Sequence, residues 1–194
     1  MLRGGCFGNG RSLVRATNNR LIGNLNAVSD FEPKKLSSDG IARALERVER
    51  YRLMNQPAVA ESICYDILST DPDNQHAIRG LILSLTDQFD QHQGPAIHQA
   101  LDLIPRLSEE YERAYCSGLI NERQARARLS REYPGAHFDA FDLLMEAMKW
   151  FENADNLRDA GNEDARLHWN TCIRVIANNN LRQRPTDDTE PAHD

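Results

Sequence analysis

The sequence predicts an all-α fold of about seven helices joined as antiparallel hairpins. Three observations carry that prediction. Apolar residues recur at i, i+3, i+4 and i+7 through the middle of the chain, and the apolar–polar alternation of a half-buried strand is missing. Proline and Asx-rich turns punctuate the periodic stretches. The links between those stretches stay mostly under about eight residues, which makes neighbours antiparallel. At 194 residues the chain suits one domain with tails.

Residues 1–36 form a basic leader. Arg3, Arg11, Arg15 and Arg20 stand there with no acidic residue before Asp30. Leu13, Val14, Leu21, Ile22 and Leu25 add some amphipathic character. A disordered leader (or an over-extended start) and an Arg-rich, acid-poor organelle transit peptide both fit residues 1–29. Either way the leader stands outside the fold, which is expected over 37–180.

The first helix follows "SSDG", where Ser38 or Asp39 is placed to cap it, and runs from about Ile41 to Leu53 with Leu45, Val48 and Tyr51 along one side. "NQP" interrupts, and Pro57 opens a second helix at the position where its missing N–H costs nothing. In that helix Ala60, Ile63, Cys64, Ile67 and Leu68 make an apolar stripe, ended by Asp71-Pro72-Asp73-Asn74. A third helix spans Gln75 to Phe89, with Asp73 or Asn74 as cap and Ile78, Leu81, Ile82 and Leu85 inside. Pro95 starts a fourth. Pro105 breaks the chain near Ile104, because proline lacks the N–H donor and clashes with the preceding turn. A fifth helix carries Tyr111, Ala114, Tyr115, Gly118 and Leu119. "YPGAH" turns, a sixth runs from about Phe138 to Leu157, "DAGN" breaks it, and a seventh runs from Asp164 to about Ala177, with His168 and Arg174 on faces able to stay wet. Residues 181–194, with two prolines and several acids, are expected to be a disordered acidic tail.

Apolar residues make up 40% of the chain and charged residues 27%, an ordinary soluble composition. The formal charge of −6 disfavours a polyanion as partner, so nucleic acid is not expected. No apolar run approaches the roughly 20 residues of a membrane span. Cys6, Cys64, Cys116 and Cys172 lie too far apart in sequence for zinc-type pairs, and each is expected to be a small buried hydrophobe. That usage fits a reducing compartment: cytoplasmic, or an organelle matrix if residues 1–29 are a transit peptide.

Residues 41–74 make a 34-residue unit of helix, turn, helix and proline exit, with Tyr51, Ala60 and Pro72 at its positions 11, 20 and 32. This unit resembles a tetratricopeptide repeat. In that family the small residue at position 20 lets the two helices approach, and the proline ends the second one. The chain departs from the pattern at Val48, Cys64 and Ile67, where the family has a small residue, a ring and an alanine. Ala147, Phe151 and Ala154 repeat the second-helix signature, with Asp159 in the proline's place. A weaker unit, 75–109, lies between and needs a two-residue insertion before Ala96, Ala100 and Leu103 align. The third unit has a longer insertion through "REYPGAH", and Asp164 to Ala177 resembles a capping helix. The resemblance implies a short right-handed solenoid of about three degenerate repeats and a cap; a plain helical bundle is the alternative. A two-helix unit cannot bury its own stripe, so neighbours must stack.

The resemblance also implies a concave face lined by the first helix of each repeat. Partner-binding candidates on it are Leu45, Glu49 and Arg52 in the first repeat, His76, Arg79 and Leu83 in the second, and Tyr115 in the third. Glu49 would repel a carboxylate, which argues against the clamp that some family members use on C-terminal peptides. The mixed groove suits a peptide bearing both charges.

Motifs for chemistry are missing. HExxH, G-x-S-x-G, a P-loop and G-x-G-x-x-G do not occur, and "GGCFGNG" lacks the strand and the Lys-Ser/Thr that a phosphate loop needs. Asp87, Asp90, His92, His98 and Asp102 form the densest polar cluster, expected to be a solvated loop and helix edge. Arg123, Arg126, Arg128 and Arg131 spread over roughly 200° of a helix and make no single stripe. The expected function is therefore a non-catalytic protein-interaction module, an adaptor or scaffold that needs no cofactor or metal. The alternative is a structural or assembly subunit of a larger complex, and self-association through an open end fits both.

Overall fold

The computed structural model describes residues 32–90, 93–131 and 133–185. The chain divides between Lys34 and Lys35, and every described helix lies in the unit that begins at Lys35. Most of the expected leader, Cys6, His92 and the tail from 186 lie outside the described residues.

All regular elements among the described residues are helical. They are α1 (Ile41–Leu53), α2 (Pro57–Thr70), α3 (Gln75–Thr86), α4 (Gln93–Leu103), α5 (Glu110–Leu129), α6 (Ala136–Leu157) and α7 (Asp164–Asn178). Pro57 stands in the first turn of α2. Asn74 caps α3: its Oδ1 accepts from the Ala77 N–H at 3.0 Å while its Nδ2 donates to Asp71. At α1 the expected side-chain cap does not form, because Ser38–Gly40 is a 3-10 turn whose hydrogen bonds supply the helix entry. Helix α3 ends three residues early. Thr86 turns its hydroxyl back to the Leu83 carbonyl, and a tighter turn carries Phe89 into the core. Pro105 breaks the chain as expected, in a 3-10 turn over Ile104–Arg106. Gly135 and Gly161 take positive φ (92° and 88°) in the turns before α6 and α7.

Consecutive helices pack against each other, most extensively α5 on α6, and the odd-numbered helices also touch in order, α1 on α3, α3 on α5 and α5 on α7. One apolar core runs through all of them. Within it Gly118 on α5, by its missing side chain, leaves room for the Phe151 ring of α6. Cys64, Cys116 and Cys172 are free thiols inside this core.

The loops contact each other at a recurring sequence offset. Thr70 Oγ1 donates to the Leu36 carbonyl 34 residues away, and Arg106 donates to the Pro72 carbonyl, again 34 away. Ser108 N–H donates to Gln75 Oε1 at an offset of 33. At the C-terminal end the packed chain runs past residue 180: Leu181 is buried, its N–H donates to the Ile176 carbonyl, and Arg184 lies over the Phe138 ring and pairs with Asp139. The physical reason is that a leucine and an arginine stem have apolar surface to bury.

Candidate functional site

The odd-numbered helices share a line of charged and aromatic side chains, and the helix order builds it residue by residue. Arg52, at the end of α1, reaches Asp87 just beyond α3 (Nε–Oδ2 2.8 Å). Arg123 of α5 meets the other oxygen of that carboxylate and also donates to Thr86 Oγ1 at 2.7 Å. One aspartate thus ties three helices, through partners 35 and 36 residues away in sequence. Nearer the start of α3 and α5, Arg79 pairs with Glu112 at 3.2 Å, and its guanidinium lies 5.7 Å from the centre of the Tyr115 ring.

Tyr115 is the hub of an aromatic cluster. It stacks on Tyr111 (5.8 Å, 10°), meets His168 of α7 edge-on (5.6 Å, 78°) and tilts against Phe151, on which His168 is stacked at 5.3 Å. Below this cluster sits Glu122, buried on α5. Arg126, one turn on, gives its Oε1 two hydrogen bonds, and His168 Nδ1 lies 2.6 Å from Oε2. Burial alone would raise the Glu122 carboxyl; the hydrogen bond and charge of His168, with those of Arg126, outweigh it and hold the group below its ordinary range. Sequence reasoning missed this pair. The available signal was Glu122 at i+7 from Tyr115 and i+3 from Leu119, a carboxylate on an apolar stripe.

The seven partner-binding candidates fall into three groups. Glu49 and His76 are exposed and have no ion-pair or hydrogen-bond partner among the described residues. Arg52 and Arg79 are taken up by Asp87 and Glu112. Leu45 and Leu83 are half-buried against the core, and Tyr115 is buried, only 6% exposed. Among the other polar candidates, Asp87 is held by its two arginines, His98 Nδ1 turns to the Gly94 carbonyl, and Arg131 turns to the carbonyl of Asp90.

Burial raises the Asp66 carboxyl, and the larger shifts fall on thiols and phenols. Burial pushes the Cys64, Cys116 and Cys172 thiols up to about 12 and raises the Tyr115 phenol as well. Among the seven candidates the two arginines are taken up by internal pairs, and Glu49 and His76 are left without a polar partner among the described residues. No helix among the described residues is long and apolar enough to cross a membrane. Comparison with protein-family models, curated proteins and solved structures finds no match.

Proposed function

We propose that the chain is a non-catalytic protein-interaction module, a short right-handed solenoid of tetratricopeptide type that holds a peptide or protein segment against the face of its odd-numbered helices. The observation that carries the reading is the recurrence of contacts between loops and helix ends 33 to 36 residues apart. A stack of equivalent hairpins produces such a recurrence, since each loop meets its counterpart in the next unit. The ordered contact of α1, α3, α5 and α7 supports it too, because these helices then form one continuous layer.

Glu49 and His76 are the positions to perturb. Charge reversal at Arg52 or Arg79 would break an internal pair and confuse folding with binding. The full chain and its Glu49→Lys/His76→Glu variant are compared in affinity capture from a cell extract. The reading expects a discrete partner with the parent, strongly reduced with a variant of unchanged thermal stability. Equal capture by both removes the odd-helix face from the proposal.

A second reading, a structural subunit packed permanently in a larger assembly, draws support from apolar side chains left outside on the first and last helices: Leu53 at 89% and Leu167 at 60% exposed. It predicts concentration-dependent association of the isolated chain in sedimentation, lost on Leu53→Lys or Leu167→Lys.

A further inference from the structure

Ser37 is the only serine or threonine in the sequence with a basic residue both two and three places before it, Lys35 and Lys34. Other hydroxyls match in part: Ser38 has Lys35 three places back, and Ser108 and Ser130 have an arginine only two places back. The fold leaves Ser37 accessible. Residues 32–37 lie outside every helix, and Lys34, Lys35, Ser37 and Ser38 are all exposed. Ser37 takes extended backbone angles (φ −76°, ψ 151°), and its hydroxyl makes no capping hydrogen bond. Leu36, between the lysines and the serine, is half-buried against the core. Its carbonyl accepts from Thr70 at 3.4 Å, which holds the segment at a fixed place on the fold. Hydroxyls deeper in the chain are engaged instead: those of Ser84, Ser117 and Ser130 each donate to a backbone carbonyl one turn earlier.

We propose that Ser37 is a phosphorylation site for a serine/threonine kinase of the basophilic class, whose acidic substrate cleft recognises Lys34 and Lys35. Two cations at those offsets match the charge of such a cleft, and an exposed, extended segment enters it without unwinding a helix. Ser37 Oγ attacks the γ-phosphorus of a nucleoside triphosphate. The bond from that phosphorus to the β,γ-bridging oxygen breaks, the nucleoside diphosphate leaves, and the hydroxyl proton passes to a carboxylate of the kinase. The product carries a charge of about −2 shortly before Ile41, the first residue of α1. There it lies near the positive end of that helix and beside its own two lysines, so it stabilises the start of the fold. Asp39 opposes this from an exposed position, where water and salt screen it. The site is independent of the reading of the chain as an interaction module.

The full chain is incubated with the catalytic subunit of cyclic-AMP-dependent protein kinase and ATP, then digested with trypsin. Cleavage after Lys35 and Arg43 releases the peptide 36–43 (21–43 when both lysines are replaced by alanine), whose fragmentation distinguishes Ser37 from Ser38. The expected result is phosphate on Ser37, entering about tenfold or more slowly in Lys34→Ala/Lys35→Ala and at close to the parent rate in Lys34→Arg/Lys35→Arg. No transfer to Ser37, a main site elsewhere, or a rate unchanged in Lys34→Ala/Lys35→Ala overturns the proposal. The phosphorylated chain should also melt about 1–4 °C above the unmodified one. An unchanged or lower Tm overturns the stabilising consequence.

Discussion

Gly118→Ala should destabilise the protein, although alanine is the better helix former. A Cβ at position 118 would stand 2.6, 2.7 and 2.9 Å from three carbons of the Phe151 ring. That ring has no exposed surface, touches Tyr115 and His168, and has nowhere to retreat. Overpacking of this kind costs about 1–3 kcal/mol, and here the upper half of that range applies because three ring atoms are met at once. Replacing glycine in a helix returns about 1 kcal/mol. The net loss is therefore about 1–2 kcal/mol, or a fall in Tm of about 2–8 °C for a chain of this size. Gly80→Ala is the control. Its Cβ would meet Val48 Cγ1 at 3.1 Å and Cys64 Sγ at 3.3 Å, a mild squeeze that the helix gain offsets to within about 0.5 kcal/mol. Urea unfolding followed by circular dichroism measures both. Gly118→Ala combined with Phe151→Leu should be less damaging than the sum of the two, since the shorter side chain makes room. A Gly118→Ala chain as stable as the parent, with the same urea slope, would refute this packing of α5 on α6.

Three further outcomes are expected. Asn74→Ala removes the cap of α3 and should cost about 1 kcal/mol in the same unfolding assay, whereas Asp73→Ala should cost much less. Glu122→Gln should lower stability at pH 7 by about 1–2 kcal/mol, as charge-assisted hydrogen bonds become neutral ones. Because the folded-state carboxyl lies below its ordinary value, its contribution is complete above the ordinary carboxylate range and is lost as pH falls through the folded value, so parent and variant should converge in acid unfolding. In a Cys6→Ser chain the three remaining thiols, buried and pushed up to about 12, should resist a thiol-reactive dye at pH 8 and react together once denaturant is added.

The helices themselves were legible in the sequence because their signals are local. The stripe Ala60–Ile63–Cys64–Ile67–Leu68, the proline that opens α2 and the proline that breaks the chain after α4 each act within a turn or two. What escaped was decided by distant partners. Whether Asn74 or Asp73 caps α3 depends on which side chain faces the first turn. Helix α3 stops at Thr86 because Phe89 finds a core position, and the tail folds back as far as Arg184 because Phe138 and Asp139 receive it. The site obeyed the same rule. The resemblance to a helical repeat implied a shared face for Arg52, Arg79 and Tyr115, but Asp87 and Glu112 take up the two arginines across 35 and 33 residues, and Tyr115 is buried. The His168–Glu122 contact, 46 residues apart, belongs to tertiary packing alone.

The central claim is that the odd-helix face is the surface that meets a partner. The direct measurement places a photoreactive benzoylphenylalanine at His76 on α3, in parallel with one at the exposed Leu101 of α4, and irradiates each full-length chain in cell extract. The predicted result is a discrete crosslinked species from position 76, abolished by Glu49→Lys, and none from position 101. Crosslinking from position 101 with nothing at 76 would contradict the claim and move the partner to the even-numbered helices.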